Sequence, residues 1–254
     1  MAKLIFLGTS SSIPTKTRDN TSFVFSQKKL KLLIDCPGSI IQKLIKADID
    51  FRKLQNIVIT HQHPDHIYGI TSLIHTQHLL NDKLNIFSNS SCIKIIKQLV
   101  ELFDLKGSDY PKINYINVFG NEAFLRKEGI KFEAIKNVHT KDSFGIRIST
   151  SNKKIFYSSD TCFSSKMLKK AGRLNYLIHD CTASSGYFKK YPKLYKIHTQ
   201  AKALADYLKD KPYTKLIPVH FLLLDKNEEG KIKQELKPIK SQLLIPQDFK
   251  TVFV

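Results

Sequence analysis

The sequence predicts an α/β fold in which sheets lie between layers of helices. Short β-branched and apolar runs come first along the chain, and strands then alternate with segments whose apolar residues recur at helical spacing. Because sheets and amphipathic helices bury their apolar faces against one another, this order favours sheets covered by helices. The sequence has no internal repeat and no Pro/Gly-rich linker, so we expect a single domain spanning residues 1–254.

Strands are predicted wherever β-branched or apolar residues form short runs. These runs are Lys3–Leu7, Ser22–Phe25, Lys31–Ile34, Asn56–Thr60, Leu84–Phe87, Ile113–Phe119, Ile130–Ile135, Phe144–Ser149, Lys154–Ser158, Leu174–Ile178 and Thr214–Val219. Apolar residues at helical spacing predict helices over Ser39–Ala47, Ile70–Leu80, Ser91–Leu102, Ser165–Ala171 and Thr199–Leu208. Thr199 directly precedes an apolar run and is the expected N-cap of the last helix.

The chain carries a formal net charge of +19, with 41 Lys and Arg against 22 Asp and Glu. An anionic partner such as nucleic acid would explain this excess. Lysine supplies most of it, whereas bidentate recognition of phosphate favours arginine, so the charge leaves the partner open. The sequence has no apolar run of about 18 residues and no signal-peptide pattern. We therefore expect a cytoplasmic protein without membrane contact.

The four cysteines, Cys36, Cys92, Cys162 and Cys181, are scattered along the chain and form no Cys-x-x-Cys pair. This spacing indicates neither a disulfide framework nor a thiolate zinc site. Any metal ion is therefore expected to be bound by imidazole and carboxylate groups.

A dense group of such ligands follows the predicted strand Asn56–Thr60. It consists of His61, His63, Asp65 and His66 within six residues. Imidazole nitrogens and carboxylate oxygens are the usual non-thiolate ligands of zinc. Four residues cannot complete two metal sites, so further ligands are expected from other parts of the chain.

Three further candidates, His139, Asp160 and His220, each follow the end of a predicted strand. The carboxyl ends of strands in layered folds converge on one rim, which is the usual place for a functional site. Each of these residues taken alone is a weak candidate, because single histidines near apolar strands are more often core residues.

On these motifs the chain resembles the metallo-β-lactamase superfamily and, within it, the ribonuclease Z family of tRNA 3′-processing endonucleases. The resemblance implies a four-layer αββα sandwich. The matching segments are 6–14, 33–36, 61–70, 138–140, 143–148, 157–161, 179–182, 198–199 and 219–221.

The resemblance also implies two zinc ions, although manganese or iron would suit the same ligands. It assigns His61, His63 and His139 to one ion and Asp65, His66 and His220 to the other, with Asp160 bridging both. Asp35 is interpreted as a residue that orients a ligand loop. Ser159 stands where the family usually has glycine, and Pro37 interrupts its usual Asp-Cys-Gly run.

Cleavage of a phosphodiester also needs a proton for the leaving oxygen, and His198 is the candidate donor. In ribonuclease Z a glutamate holds the matching histidine, and Asp180 takes that place here. Asp65 could orient the nucleophile in addition to binding metal. Alternatively, Asp180 and His198 could only cap neighbouring elements.

The interval between His139 and Asp160 departs from the family, because ribonuclease Z inserts a tRNA-gripping arm there. Only 21 positions separate the two residues, which leaves room for a strand pair. Basic residues elsewhere would have to replace the arm, with neighbouring tyrosines stacking on bases. The candidates are Tyr187, Phe188, Lys189, Lys190, Tyr191, Lys193, Tyr195 and Lys196.

Three functions remain open from the sequence. The first is a zinc-dependent endonuclease that cleaves the 3′ end of precursor tRNA with a hydroxide held between the metals, acting as the homodimer that the resemblance implies. The second is a phosphodiesterase for small substrates such as cyclic nucleotides, which the missing arm favours. The third is a non-catalytic nucleic-acid-binding relative, against which the intact ligand set argues.

Overall fold

Two β-sheets, each with its own helices and its own apolar core, make up the fold. The computed structural model describes residues 2–80 and 83–254. Within this part, the chain forms two units. The first unit contains segments 2–8 and 247–254 together with Asn20–Phe124, and the second contains Thr9–Asp19 and Leu125–Pro246.

The described residues contain two runs of consecutive strands, and elsewhere strands alternate with helices. The strands are β1 (Lys3–Gly8), β2 (Ser22–Gln27), β3 (Leu30–Ile34), β4 (Asn56–Val58), β5 (Lys83–Ser88), β6 (Lys112–Asn117), β7 (Leu125–Lys127), β8 (Ile130–Lys136), β9 (Phe144–Ser149), β10 (Lys154–Tyr157), β11 (Tyr176–Asp180), β12 (Lys215–Val219) and β13 (Thr251–Phe253). The α-helices are α1 (Ile40–Lys46), α2 (Pro64–Ile67), α3 (Ile70–Thr76), α4 (Ser90–Leu102), α5 (Ser165–Ala171), α6 (Ser185–Lys190), α7 (Ala201–Leu208) and α8 (Glu228–Glu235). Short 3₁₀ helices cover Phe51–Lys53, Pro192–Lys196 and Lys237–Gln242.

The first unit holds a seven-stranded sheet in the order β13-β1-β2-β3-β4-β5-β6. Strands β3 to β6 pair in parallel, so the loops that leave β3 and β4 emerge at the same edge. Apolar side chains of α1, α3 and α4, such as Leu44, Leu73 and Ile96, pack with the sheet residues Leu33 and Ile57 in one buried core. This core fixes the edge at which the loop beginning with His61 leaves the sheet.

The second unit holds a six-stranded sheet in the order β12-β11-β10-β9-β8-β7. Strands β10, β11 and β12 pair in parallel, and their carboxyl ends lead into the loops that carry Asp160, the following Thr182 and His220. Leu168 of α5 and Leu204 of α7 belong to the buried core of this unit. The predicted site residues Asp160 and His220 therefore follow β10 and β12 at the edge where Asp180 ends β11.

The predicted strands are all present, and their ends differ by at most two residues from the structure. The predicted helix Ile70–Leu80 was too long, because it ends at Thr76. Leu79 takes a positive φ of 58° and donates its N–H to the Asp109 carbonyl at 2.8 Å, which is incompatible with continuing the helix. Strands β7 and β13 and helices α2, α6 and α8 were not predicted.

The expected N-cap role of Thr199 was wrong. Gln200 occupies the N-cap position of α7, and the Thr199 hydroxyl instead donates to the carbonyl of Thr161 at 2.7 Å. The N-terminus of α7 is capped from α8, since the Lys202 N–H donates to the Glu235 carboxylate at 3.0 Å. A tertiary contact has therefore replaced the local cap. None of the helices in the described part of the chain has the length and hydrophobicity needed to cross a membrane.

Candidate metal centre

In the first unit, the loop after β4 brings together the four predicted ligands of the His-rich motif. The ring centroids of His61 and His63 lie 4.7 Å apart, and those of His61 and His66 lie 4.1 Å apart. Nε2 of His66 is 3.5 Å from a carboxylate oxygen of Asp65. Pro64 begins α2 immediately after His63, which suits the first helical position and turns Asp65 and His66 back beside the other two residues.

Asp35 orients the imidazoles of His66 and His61 through hydrogen bonds. It is fully buried at the end of β3 and accepts hydrogen bonds from the Thr60 N–H at 2.8 Å and the Thr60 hydroxyl at 3.0 Å. Nδ1–H of His66 donates to the same carboxylate at 2.9 Å. Because the Thr60 hydroxyl donates to Asp35, its oxygen accepts the hydrogen bond from Nδ1 of His61 at 3.3 Å. Both rings are thereby fixed in the tautomer whose Nε2 can ligate a metal ion.

Steric crowding explains why the motif has glycine at position 69. A Cβ on Gly69 would lie 2.1 Å from the carbonyl oxygen of Pro37. The Gly69 N–H donates to the carbonyl of Cys36 at 2.8 Å, and the Cys36 N–H donates to the carbonyl of His66 at 2.8 Å. The loop after β3 and the ligand loop therefore pack backbone against backbone.

In the second unit, three separate loops bring His139, Asp160 and His220 together. Nε2 of His220 is 2.9 Å from a carboxylate oxygen of Asp160, and Nε2 of His139 is 3.8 Å from the same oxygen. Nδ1–H of His139 donates to the carbonyl of Ile197 at 2.8 Å. As in the first unit, the second ring nitrogen is occupied by a hydrogen bond and Nε2 faces the carboxylate, an arrangement typical of metal-ligating histidines.

Beside these residues, the half-buried His198 is paired with the buried Asp180. Nδ1 of His198 lies 2.8 Å from a carboxylate oxygen of Asp180, and its ring stacks on that of His220 at 4.9 Å between centroids. Burial alone raises the pKa of the Asp180 carboxyl, but the charge and hydrogen bond of His198 outweigh burial, so this pKa lies below its ordinary value. Potential ligand atoms of His139, Asp160 and His198 lie within 4.8 Å of one another.

Thr182 forms hydrogen bonds with both Asp180 and His220, although sequence analysis assigned it no role. Its N–H and its hydroxyl donate to the Asp180 carboxylate at 3.1 and 2.7 Å. The hydroxyl oxygen therefore accepts from Nδ1 of His220 at 3.2 Å. The position of Thr182 two residues after Asp180 was the available signal, because short side chains at this spacing commonly bond back to the preceding carboxylate.

The backbone around two of these residues adopts a conformation that side chains disfavour. Ser159 has a φ of 54° and His220 a φ of 66°, both in the left-handed region that glycine adopts without steric cost. This conformation would suit the glycine that the resemblance led us to expect at position 159. Such strain persists where the surrounding contacts over-determine the loop, as is common at functional sites.

Among the described residues, no cysteine belongs to a group of side chains placed to hold a metal ion. Burial raises the pKa of Cys36 and Cys181, and it raises that of Cys92 to about 12. The donor chemistry of both units is therefore imidazole and carboxylate, which fits a divalent cation.

The basic aromatic segment lies on α6 and the 3₁₀ helix that follows it. Phe188 is buried and contacts the ring of Tyr195 at 5.1 Å, whereas Tyr191 and Tyr195 are 44% and 43% exposed. The segment's four lysines are exposed. The segment leads directly into His198, whose N–H donates to the Leu194 carbonyl at 2.8 Å. Its proposed contact with nucleic acid stays a prediction.

Comparisons with known proteins identify the family. A model of the family described as anti-Pycsar protein Apyc1 matches residues 2–225. The chain is 23% identical to ribonuclease Z of Archaeoglobus fulgidus over 310 aligned positions, which cover 99% of this chain and 97% of that protein. It is 24% identical to anti-Pycsar protein Apyc1 of Bacillus phage BSP38 over 236 positions, which cover 85% of this chain and 87% of that protein.

Solved structures confirm the predicted fold class. Human tRNase Z, short form, superposes with a TM-score of 0.78 at 20% identity, covering 99% of this chain and 98% of that one. The metallo-β-lactamase fold protein YhfI from Bacillus subtilis superposes with a TM-score of 0.81 at 16% identity, again covering 99% and 98%. With the fold, the His/Asp clusters and the hydrolase relatives in agreement, the chain is a metal-dependent hydrolase of the metallo-β-lactamase, ribonuclease Z type, and it belongs to the anti-Pycsar protein Apyc1 family.

Proposed function

We propose that the protein is a phosphodiesterase for small cyclic phosphodiesters, with cyclic nucleotides as the first class to test. The observation that carries the proposal is the short interval between His139 and Asp160. The hairpin of β9 and β10 fills it, with Lys154 paired to Ser149 and a turn closed by the Thr150 N–H on the Lys153 carbonyl at 2.9 Å. This interval leaves no room for an arm that grips tRNA.

The lengths of the two alignments support the same choice. Matching this 254-residue chain to ribonuclease Z of Archaeoglobus fulgidus takes 310 positions, so that protein has segments with no counterpart here. The phage Apyc1 relative aligns over 236 positions, without an excess over the length of this chain. The absence of those extra segments supports a proposed substrate smaller than a folded RNA.

The proposed cofactor is a pair of zinc ions held by the seven candidate ligands. His61, His63 and His139 would hold one ion, Asp65, His66 and His220 would hold the other, and Asp160 would serve both. When bound, two divalent ions supply electrostatic stabilisation of the phosphoryl transition state and a nucleophile at neutral pH. Asp65 is proposed to orient the attacking water as well as to bind metal.

His198 is proposed to supply the proton for the leaving group. Its Nδ1–H donates to the buried Asp180 carboxylate, so Nε2 is the nitrogen that exchanges a proton. Water adds across the bond between phosphorus and the ribose oxygen. The water oxygen forms the new bond, the ribose oxygen departs, and it takes a proton from Nε2. The proton released by the water restores His198.

A substrate panel tests the proposal. The purified protein, supplied with zinc or manganese, is offered 3′,5′-cyclic and 2′,3′-cyclic nucleotides, bis-p-nitrophenyl phosphate and precursor tRNA with a 3′ trailer. We expect the cyclic nucleotides to be hydrolysed with a higher kcat/KM than the tRNA. Efficient cleavage of precursor tRNA without turnover of any cyclic nucleotide would overturn the proposal.

Endonucleolytic processing of precursor tRNA is the second candidate, and the net charge of +19 favours it. The exposed lysines Lys189, Lys190, Lys193 and Lys196 would then have to replace the arm. Their combined replacement by glutamine would raise KM for the tRNA and leave kcat/KM for bis-p-nitrophenyl phosphate unchanged. The homodimer stays a prediction, which light scattering of the purified protein measures.

A further inference from the structure

Arg18 is a buried arginine in the loop that follows β1, and it belongs to the second unit. Its side chain is only 7% exposed. One guanidinium nitrogen donates to the Thr9 hydroxyl at 2.7 Å and to the Pro246 carbonyl at 2.9 Å, and the other lies 3.2 Å from Glu229. Burying a guanidinium is costly unless its hydrogen bonds are satisfied, so this loop is built around the side chain.

The guanidinium covers the ring of Phe221, with 5.0 Å between Cζ and the ring centroid. The backbone of Phe221 is held by the same loop. Its N–H donates to the Thr9 carbonyl at 3.1 Å, and its carbonyl accepts from the Ser11 N–H and the Ser10 hydroxyl, each at 3.0 Å. Both polar backbone groups and the ring of Phe221 are therefore fixed by residues 9–18.

Phe221 directly follows His220, whose φ of 66° is strained for a residue with a side chain. Relaxation of His220 to an ordinary conformation would move its ring away from its neighbours, which include Asp160 at 2.9 Å and Thr182 at 3.2 Å. The backbone of the next residue, Phe221, is held by Thr9, Ser10 and Ser11, and Arg18 covers its ring; we call these contacts the Phe221 clamp.

We propose that Arg18 is a positioning residue that holds His220 in its left-handed conformation through Phe221 and thereby sets the affinity of the metal position that His220 serves. The inference rests on the proposed role of His220 as a ligand. Lysine can reproduce it only in part, because an ammonium group lacks the second guanidinium nitrogen that lies beside Glu229 and the planar face that covers the ring of Phe221.

Metal titration of the intact, metal-free protein tests the inference without relying on turnover. Zinc is added in competition with a chromophoric chelator to the parent protein and to Arg18→Ala, Arg18→Lys and His220→Ala. We expect Arg18→Ala to raise one of the two dissociation constants about 10–100-fold, the range for residues that orient ligands. Arg18→Lys recovers part of this loss, and the other constant stays unchanged.

Arg147→Ala is the matched control for losing a paired arginine. Arg147 donates two hydrogen bonds to Glu133 at 2.8 Å on the strands β8 and β9. Its removal should lower the melting temperature and leave both dissociation constants unchanged. If Arg18→Ala behaves in the same way while His220→Ala weakens one site, the inference is overturned and the ligand role of His220 stands.

If His220→Ala leaves both constants unchanged, the ligand role fails and the inference fails with it. Should Arg18→Ala not fold, Arg18→Lys and Phe221→Leu carry the test, since each keeps the loop filled but loosens the clamp. Zinc dissociation constants equal to those of the parent in both folded variants would again overturn the inference.

Discussion

The two units of the molecule hold their candidate ligands with the same hydrogen-bond pattern, built from very different stretches of sequence. In each unit a buried aspartate accepts from the N–H and the hydroxyl of a threonine and from Nδ1 of one histidine, while the threonine oxygen accepts from Nδ1 of a second histidine. In the first unit the four residues are Asp35, Thr60, His66 and His61. In the second they are Asp180, Thr182, His198 and His220.

The difference lies in what the pattern serves. Asp35 is bonded to His66 and, through Thr60, to His61, and both histidines are proposed ligands. Asp180 is bonded to His198, the proposed proton donor, and only through Thr182 to a proposed ligand, His220. A common scaffold therefore supports two kinds of chemistry. Substitutions at matched positions should separate metal affinity from proton transfer.

The largest effect is expected from Asp160→Asn, which removes a carboxylate that both His139 and His220 face. We expect kcat/KM on bis-p-nitrophenyl phosphate to fall by more than about 10⁴-fold, beyond the loss of one acid–base group, together with a loss of bound metal. Elemental analysis and steady-state kinetics measure the two. Asp142→Asn, which removes a partly exposed carboxylate paired with Lys136 at 2.8 Å, is the control and should keep both. Full metal content with normal turnover in Asp160→Asn would contradict the bridging role.

His198→Ala should come next. A general acid typically contributes about 10²–10⁴-fold, so turnover of cyclic nucleotides should fall by that factor. Hydrolysis of bis-p-nitrophenyl phosphate should fall far less, since p-nitrophenolate leaves without protonation. Parallel kinetics on both substrates provide the measurement, with metal content as the control. Equal losses on both substrates would remove the general-acid role and make His198 a candidate ligand.

Replacement of the two aspartates by asparagine sharpens the comparison directly. Asp35→Asn should weaken zinc binding about 10–100-fold, because it loosens two proposed ligands. Asp180→Asn should weaken zinc binding less and mainly lower turnover of substrates with poor leaving groups. Chelator competition and kinetics on both variants measure this crossed pattern. An identical profile for the two variants would show that the units do not divide the chemistry.

The four candidates of the first unit were found from the sequence because they lie within residues 61–66. Asp35 was also interpreted as orienting this loop, and His66 does bond to it. The part of Thr60 was not predicted, since it lies 25 residues from Asp35. In the second unit the same pattern draws on residues spread from Asp180 to His220. Only the parallel pairing of β10, β11 and β12 brings these loops together.

The elements that were not predicted depend on tertiary contacts. Helix α8 has no apolar stripe, and its sequence EEGKIKQE buries only Glu228 and Ile232. Glu228 accepts from the Ser184 N–H at 2.7 Å and Glu235 from the Ser185 N–H at 2.9 Å, so α8 is fixed by capping the start of α6. Strand β7, with the sequence LRK, likewise has no β-branched residue and is defined by pairing with β8.

The smallest effects should come from the two threonines. Thr60→Val and Thr182→Val each remove a hydroxyl and keep the side-chain volume, which leaves a buried Nδ1–H without its acceptor at a cost of about 1–3 kcal/mol. We expect zinc affinity to fall about 10-fold in each variant, near the lower limit for residues that orient ligands, because the aspartate and the second histidine remain paired. Chelator competition at one pH measures the loss. Thr182→Val alone could also slow hydrolysis of cyclic nucleotides more than hydrolysis of bis-p-nitrophenyl phosphate. In that case the bond from Thr182 to Asp180 contributes to holding His198. The second unit then couples its proposed ligand to its proposed proton donor, which the first unit cannot do.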